Sequence, residues 1–262
     1  CIRLSAFSML LLVPFLRIAW RYVWDRRILH GIRFGPRCRN LLDLYIPDEA
    51  IAALDGTAPK VPVVIAVMGG AWVIGYRAWN AQLGQRLLDA GILVVAVDYR
   101  NWPCCRMDSM IADLDAGIEW VFKNVERYGG DPRNVVLTGQ SAGAHLTAML
   151  LLERSMAFAK REGDDIEGNS GQAIDASVWS PRDLKAYVGV SGVYDLALTV
   201  QHLENRWLSL EMFPQIVPGG DLTRYSPSLL TQSEQWRALG RQPASYMPPV
   251  LLFHGENDKT VP

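Results

Sequence analysis

Short apolar runs recur along the chain after residue 60, and most are rich in β-branched residues. Runs of four to six such residues, bounded by glycine, proline or polar side chains, are typical of strands buried on both faces of a parallel sheet. Earlier, residues 42–46 alternate between apolar and polar positions and stop at Pro47, which predicts an antiparallel strand. The predicted buried strands cover residues 63–67, 92–97, 135–138, 186–190 and 250–253.

Amphipathic stretches separate these runs and predict helices. In residues 108–128 the apolar side chains recur every three or four positions, and two glycines end the stretch, as at a helix C-terminus. Residues 79–90 and 145–160 predict two more helices. Strands that alternate with helices form a mostly parallel sheet with helices on both faces, so we expect an α/β fold. Residues 161–183 are polar and glycine-rich, which predicts a surface insertion.

The first 40 residues follow a different pattern. An apolar run over residues 6–16 continues past Arg17 to residue 24 and contains two tryptophans. The run alone is too short to cross a bilayer, which needs about 20 apolar residues. Arginine and tryptophan at one end of an apolar run suit a membrane interface. We therefore expect a membrane-proximal segment over residues 1–40 and an α/β domain over residues 41–262. An amphipathic helix packed on that domain is the alternative, and the lack of a small-residue cleavage site disfavours a signal peptide.

The charge follows the same division of the chain. The 262 residues have a formal net charge of −1, which combines +7 in residues 1–40 with −8 in residues 41–262. This near-neutral total argues against nucleic acid as the main partner. Two of the four cysteines are adjacent, and none has the Cys-x-x-Cys spacing of a zinc site. We expect reduced thiols in a domain that faces the cytosol, with no metal site.

The strongest chemical motif is the sequence Gly-Gln-Ser-Ala-Gly over residues 139–143. It lies between the strand predicted at 135–138 and an apolar helix, which is the strand–turn–helix context of a nucleophile elbow. Such a turn exposes the Ser141 hydroxyl above the sheet. The backbone N–H of Ala142, at the positive end of the helix, then faces a developing oxyanion. The motif predicts Ser141 as a catalytic nucleophile.

Two further motifs follow other predicted strands. Gly69 and Gly70 come directly after the strand at 63–67, and two glycines allow the backbone to approach a substrate closely. We expect them to supply the other half of an oxyanion hole, with a plain Gly-Gly turn as the alternative. Asp258 follows the strand at 250–253 and is predicted to orient a catalytic histidine. A turn aspartate is the alternative there.

These motifs, together with residues 39–45, 70–79, 98–103 and 140–145, resemble the isoprenylcysteine alpha-carbonyl methylesterases. That family consists of membrane-bound α/β-hydrolases related to the carboxylesterases and hormone-sensitive lipases. The resemblance implies hydrolysis of the methyl ester on the C-terminal prenylated cysteine of CaaX-type proteins or of small prenylcysteine esters. It also implies residence in endoplasmic reticulum or Golgi membranes with the catalytic domain facing the cytosol, and no cofactor.

The sequence departs from this family pattern at two places. Met68 stands where the family usually has a histidine before Gly-Gly, so the loop lacks a side-chain hydrogen bond that could hold its shape. No histidine follows Asp258 within the sequence. We therefore expect the catalytic histidine beyond Pro262, in a hydrolase domain truncated before its last strand and helix and with little turnover by itself. His145 is predicted to be a packing residue and His254 a turn residue.

An apolar pocket suited to a prenyl or acyl chain is a further expectation, with ordinary core packing as the alternative. Residues near 193 and around 212–213 are expected to contribute to it. Two other functions also stay open: an esterase or arylformamidase that acts on small esters or amides, and a non-catalytic hydrolase-fold binding protein, which the departure at Met68 suggests. The candidate pocket residues are Trp72, Tyr76, Trp79, Tyr194 and His202.

Overall fold

A computed structural model of the chain describes residues 2–166, 179–204, 213–258 and 261. Within these residues, every run predicted as a strand lies in one seven-stranded sheet, in the order β1-β2-β4-β3-β5-β6-β7. The pairs β1–β2 and β2–β4 are antiparallel and the other pairs are parallel, which confirms the mostly parallel α/β sheet. The strands are β1 (Ile28–Arg33), β2 (Leu41–Tyr45), β3 (Val61–Val67), β4 (Leu93–Val97), β5 (Gly130–Gln140), β6 (Leu184–Val190) and β7 (Val250–Phe253).

The three predicted helices are confirmed, and the structure contains further helices that the pattern did not predict. Short 3-10 turns extend two of them, at Arg77–Asn80 and Val125–Tyr128. The α-helices are α1 (Ile2–Trp24), α2 (Asp48–Leu54), α3 (Ala81–Leu88), α4 (Met107–Asn124), α5 (Ala142–Ile166), α6 (Leu196–Glu204), α7 (Phe213–Ile216), α8 (Pro227–Leu230), α9 (Glu234–Ala238) and α10 (Gln242–Tyr246).

The two faces of the sheet bury separate sets of side chains, because successive residues of a strand point to opposite faces. On one face, Ile65 and Val95 belong to a large core with residues of α4 and α5. On the other face, Ala66 and Val94 pack with Leu88 of α3, with α1 at the margin of this smaller cluster. Helices therefore cover both faces, as the alternation of strands and helices predicts.

The structure differs from the sequence-based expectations at three places. Helix α5 continues to Ile166, so the insertion predicted from residue 161 is wrong for residues 161–166, where Arg161 and Glu162, two good helix formers, continue the helix. Residues 167–178 of that prediction lie outside the described residues. Strand β7 was predicted to be buried, yet its side chains are 46–57% exposed, because it has a neighbouring strand on one side only among the described residues.

The third difference is strand β1, which the polarity pattern did not predict. It pairs with β2 but has a register shift between Leu29 and Ile32, and only Ile28 is fully buried. The irregular pairing disrupts the alternation that identifies a half-buried strand. The sheet thus begins inside residues 1–40, at the segment that the pattern assigned to a membrane-proximal region.

Helix α1 packs along α3. Arg21 donates hydrogen bonds to both carboxylate oxygens of Asp89 at 2.8 and 2.7 Å, and the Tyr22 hydroxyl donates to Asp43 of β2 at 2.5 Å. Within the residues that the structure describes, no helix is both long enough and apolar enough to cross a membrane.

Candidate active site

Ser141 occupies the turn between β5 and α5, as the motif predicts. Its backbone has a φ of 53°, in the left-handed region that disfavours a side chain. The turn is fixed on both sides, because the Ser141 N–H donates to Val190 O of the neighbouring strand at 2.9 Å and the Ser141 carbonyl accepts from His145 N at 3.0 Å. Ala142 is the first residue of α5, where backbone N–H groups have no partner within the helix. This geometry is that of a nucleophile elbow.

The Gly69-Gly70 loop lies directly against this turn. A Cβ atom on Gly69 would come within 2.7 Å of both Ser141 Cβ and Gln140 O, and a Cβ on Gly143 would come within 2.4 Å of Val67 O. The two loops therefore approach more closely than side chains permit. The structure thus brings together three sequence-predicted positions, Gly69, Gly70 and Ser141, with Ala142 at the start of the helix beside them.

The loop after β3, residues 68–75, has an unusual backbone conformation, and we call it the oxyanion loop after the role that the sequence predicts for Gly69 and Gly70. Gly70, Ala71 and Trp72 have φ values of 132°, 49° and 62°. Two consecutive non-glycine residues at positive φ are unfavourable, and such strain persists only when surrounding contacts hold it. Val73 N and Ile74 N both donate to Gly70 O at 2.9 Å, which closes the loop on itself.

The segment after β4 holds the oxyanion loop from outside. The Tyr99 hydroxyl donates to Met68 O at 3.2 Å, Asn101 Nδ2 donates to Gly75 O at 2.9 Å, and Trp102 N donates to Trp72 O at 2.9 Å. Three loop carbonyls, at its start, middle and end, are thus bound by one short segment. These three hydrogen bonds hold the oxyanion loop in its strained backbone conformation.

A buried ion network supports the same contacts. Asp98, whose side chain is nearly inaccessible, pairs with Arg39 at 2.6 Å and with Arg77 at 3.3 Å. Arg39 also donates to Gly75 O at 2.5 Å, and Arg77 pairs with the buried Asp43 at 2.8 Å. Burial raises the pKa of Asp98, while hydrogen bonding and the charge of the arginines oppose that shift. The network links the end of the oxyanion loop to the first two strands of the sheet.

His145 lies one helical turn beyond Ser141 and is fully buried. Its Nε2 bonds the Tyr225 carbonyl at 2.7 Å, so that nitrogen carries the proton, and its Nδ1 accepts from Trp72 Nε1 at 3.2 Å. Burial lowers its pKa to about 4. Both ring nitrogens are thus engaged in a neutral ring, which confirms His145 as a packing residue and shows that it fixes Trp72 of the oxyanion loop.

Asp258 lies in a tight turn after β7. Val261 N donates to its Oδ1 at 3.1 Å, and His254 Nε2 lies 3.9 Å from its Oδ2 and bonds Val261 O at 3.0 Å. His254 is therefore a turn residue, as predicted. In the sheet register Gln140 of β5 pairs with Val190 of β6, which pairs with Phe253 of β7, so the turns at Ser141 and Asp258 leave the same edge of the sheet two strands apart.

The candidate pocket residues lie in different environments. Trp72 is only 2% exposed and contacts His145 and Phe213 edge-to-face, which is the core packing named as the alternative for it. Tyr76 and Trp79 are exposed, and the Arg77 guanidinium lies 4.7 Å from the Tyr76 ring centre.

The other pocket candidates lie around α6. Tyr194 is partly buried against the core, and burial raises its pKa. His202 lies on α6 and is partly exposed, whereas residue 212 lies outside the described residues. This placement does not establish a pocket around these residues or their contact with a substrate. The pocket therefore stays a prediction.

The sequence motifs did not identify Tyr99, Asn101 or Arg39 as site residues. The sequence feature that could have identified Tyr99 and Asn101 is their position directly after a predicted strand. The polar stretch that begins at Asp98 follows β4, which pairs in parallel with β3, so both segments leave the sheet at the same edge. In a parallel sheet, residues after neighbouring strands meet at that edge.

The BD-FAE family model matches residues 42–262. A probable isoprenylcysteine alpha-carbonyl methylesterase of Oryza sativa subsp. japonica is 38% identical over 99% of this chain and 56% of its own length. The isoprenylcysteine alpha-carbonyl methylesterase of Arabidopsis thaliana is 37% identical over 99% of this chain and 55% of its own length. The chain thus spans about half the length of the curated relatives it matches.

Among solved structures, an inhibited esterase B from Lactobacillus rhamnosis has a TM-score of 0.61 and 19% identity, over 98% of this chain and 87% of that chain. At this identity the likeness concerns the fold alone. It confirms the α/β-hydrolase architecture expected from the sequence.

Proposed function

The chain belongs to the BD-FAE family of α/β-hydrolases, and we propose that it is a serine carboxylic-ester hydrolase with Ser141 as nucleophile. One observation carries this proposal: the strained turn at Ser141 lies in contact with Gly69 of a second strained loop. Strained backbone concentrates at functional sites. The arrangement places the Gly69 loop and the first residue of α5 beside the half-buried Ser141, and acyl transfer requires backbone N–H groups around the nucleophile.

The proposed reaction has two steps. Ser141 Oγ attacks the carbonyl carbon of the ester and gives its proton to a histidine base that Asp258 orients. Gly69, Gly70 and Ala142 donate N–H groups to the tetrahedral oxyanion, and the C–O bond to the alcohol breaks as the base returns the proton to the leaving oxygen. Water then attacks the acyl-enzyme, and the carboxylic acid leaves Ser141. This chemistry uses no metal or organic cofactor.

For the substrate, we propose the methyl ester of a C-terminal prenylcysteine, in CaaX-type proteins or in small esters. The similarity to the plant isoprenylcysteine alpha-carbonyl methylesterases supports this assignment. Exposed aromatic side chains after the oxyanion loop, Tyr76 and Trp79, are compatible with an apolar chain beside the nucleophile.

We also propose that the protein acts at endoplasmic reticulum or Golgi membranes with this domain in the cytosol. The support is the net charge of +7 in residues 1–40 next to an apolar run, because arginine-rich flanks favour the cytosolic side. Protease protection of a tagged protein in intact microsomes tests the orientation. Cleavage of this domain by added protease is expected, and complete protection would contradict it.

The substrate proposal is tested by hydrolysis of a farnesylcysteine methyl ester and a short acyl ester by the whole protein. The expected result is a higher kcat/KM on the prenylated ester, with Ser141→Ala reducing both activities by about 10⁴-fold or more. Exclusive turnover of the short ester would refute the prenylcysteine assignment. Equal activity of the variant would refute Ser141 as nucleophile.

A further inference from the structure

Helices α1 and α3 run side by side in the same direction and enclose a cleft of about 380 Å³. Gln85 Nε2 donates to Ile18 O at 2.8 Å, and one turn further along both helices Arg21 binds Asp89 through two hydrogen bonds. The cleft is thus a fixed feature of the packing of α1. Its wall includes Val13, Arg17 and Ile18 from α1 and Gln82, Gln85 and Arg86 from α3.

The cleft carries an excess of positive charge. Three arginines and one carboxylate, that of Asp89, line the cleft. Arg21 forms an ion pair with Asp89, and its hydrogen bond is the main cause of the lowered pKa of Asp89. Among the described residues, Arg17 and Arg86 form no ion pair. Two guanidinium groups therefore face the same cleft with their donors available, and guanidinium geometry matches the oxygens of a phosphate.

An exposed apolar stripe lies next to these arginines. Val13, Leu16, Trp20 and Val23 are 70%, 54%, 67% and 61% exposed and are spaced three or four residues apart, so they share one face of α1. With about 3.6 residues per turn, Arg17 falls on the flank of this stripe that adjoins the cleft. Trp24 is exposed, and its ring is tilted by 37° against that of Trp20, with ring centres 5.6 Å apart. Indole side chains prefer the headgroup level of a bilayer.

We propose that the cleft between α1 and α3 binds the phosphate of an anionic phospholipid while the stripe on α1 inserts into the same bilayer surface. An interfacial helix with an apolar face and flanking arginines binds lipid by apolar burial and by attraction to anionic headgroups. The stripe supplies the apolar burial, and Arg17 and Arg86 supply the attraction to the headgroup. This inference rests on the membrane part of the proposed function, to which it adds a specific headgroup site.

The site also orients the domain. Helix α3 begins shortly after the oxyanion loop, at the carboxyl edge of the sheet, and α1 runs in the same direction. The N-terminal half of α1 therefore extends toward the edge where Ser141 lies. A bilayer held at α1 would keep a lipid-linked ester near the nucleophile.

The test is co-sedimentation of the whole protein with vesicles of phosphatidylcholine alone or of phosphatidylcholine with phosphatidylserine. The double variant Arg17→Gln/Arg86→Gln is compared with Arg127→Gln/Arg241→Gln, which removes the same charge from exposed sites elsewhere. Each arginine at an anionic surface contributes about fivefold in affinity, so the cleft pair is expected to lose about thirtyfold on the anionic vesicles. The control pair is expected to lose less than about threefold, because neither arginine lines the cleft and salt screens the attraction of exposed charges.

Trp20→Ser provides the second arm, and its affinity is expected to fall on both kinds of vesicle. Equal losses in the two arginine pairs would mean that only net charge matters and would overturn the headgroup site. Unchanged binding of Trp20→Ser would overturn the insertion of the stripe. A protein that binds neither vesicle overturns this inference and the membrane part of the proposed function together. The esterase proposal is measured separately by ester turnover and is unaffected.

Discussion

Left-handed backbone at residues with side chains is concentrated at one edge of the sheet. Among the described residues it occurs at Ala71, Trp72, Ser141 and Ser191, which follow β3, β5 and β6. Each such residue costs about 1–3 kcal/mol, so the surrounding contacts must hold them. At Ser141 the holding contacts are the bond from its N–H to Val190 and the start of α5. The strained positions therefore surround the nucleophile that we propose.

Gly69 tests the close approach of the two loops. Gly69→Ala adds a Cβ within 2.7 Å of Gln140 O and Ser141 Cβ, which forces the oxyanion loop away from the nucleophile. Loss of one oxyanion donor typically costs about 10²–10³-fold in rate, and we expect a loss of that size in kcat/KM. Gly56→Ala is the control, since that glycine has positive φ but open space around it, and should affect stability alone. Activity retained in Gly69→Ala would argue against the assigned oxyanion hole.

Tyr99 tests whether the segment after β4 positions the oxyanion loop. Tyr99→Phe removes only the hydrogen bond to Met68 O, which contributes about 1 kcal/mol or about fivefold. We expect kcat to fall about fivefold with KM unchanged, because the loop acts on the transition state more than on substrate binding. Tyr128→Phe is the matched control at a remote, half-buried tyrosine. A lower melting temperature with unchanged kcat would assign Tyr99 a purely structural role.

His145 makes stability depend on pH. Its folded pKa of about 4 lies below the ordinary value of 6.5, so the unfolded chain binds more protons between these values. The free energy of unfolding should therefore fall by up to about 3 kcal/mol as the pH drops from 6.5 to 4. Urea unfolding of the wild type and of His145→Gln across this range measures the difference. Parallel pH profiles would contradict a buried neutral His145.

Strands and turns could be predicted from the sequence where the pattern of apolar residues or glycines was regular. Continuous apolar runs identified β3 to β7, and the glycine-flanked serine located the turn at Ser141. Strand β1 was missed because a bulge disrupts its alternation. The hydrogen bonds from Tyr99, Asn101 and Trp102 could not be predicted, because they join residues some 30 positions apart whose contact depends on the order of strands.

Asp43 shows how the first elements are attached to the sheet. Its buried carboxylate accepts hydrogen bonds from Tyr22 of α1, from Gly31 N at the bulge of β1 and from Arg77 Nε. Asp43→Asn should lower the free energy of unfolding by about 3–5 kcal/mol, because it removes the nearer of the two carboxylates that pair with the buried Arg77 guanidinium. Asp48→Asn, at an exposed carboxylate, should change it by less than about 0.5 kcal/mol. Equal urea midpoints for the two variants would show that the network does not hold these elements.

At the scale of the whole molecule, the charge divides the chain near residue 40, whereas the fold joins the two parts. The basic residues 1–40 include α1, which forms one wall of the arginine-lined cleft, while the acidic remainder includes α3 as its other wall, the nucleophile elbow and the oxyanion loop. Because β1 belongs to the sheet, the basic segment is not a separate appendage. The cleft and the nucleophile are therefore carried on one sheet, which allows a single orientation at a lipid surface to serve both.

The proposed activity depends above all on Ser141 being an activated nucleophile. Its most direct test is covalent labelling of the whole protein by a fluorophosphonate, followed by peptide mass mapping, with Ser191→Ala as the matched control at the equivalent turn after β6. We predict one adduct on Ser141, which is kept in Ser191→Ala and lost in Ser141→Ala while the melting temperature stays the same. An adduct that persists in folded Ser141→Ala, or labelling of Ser191 instead, would contradict it.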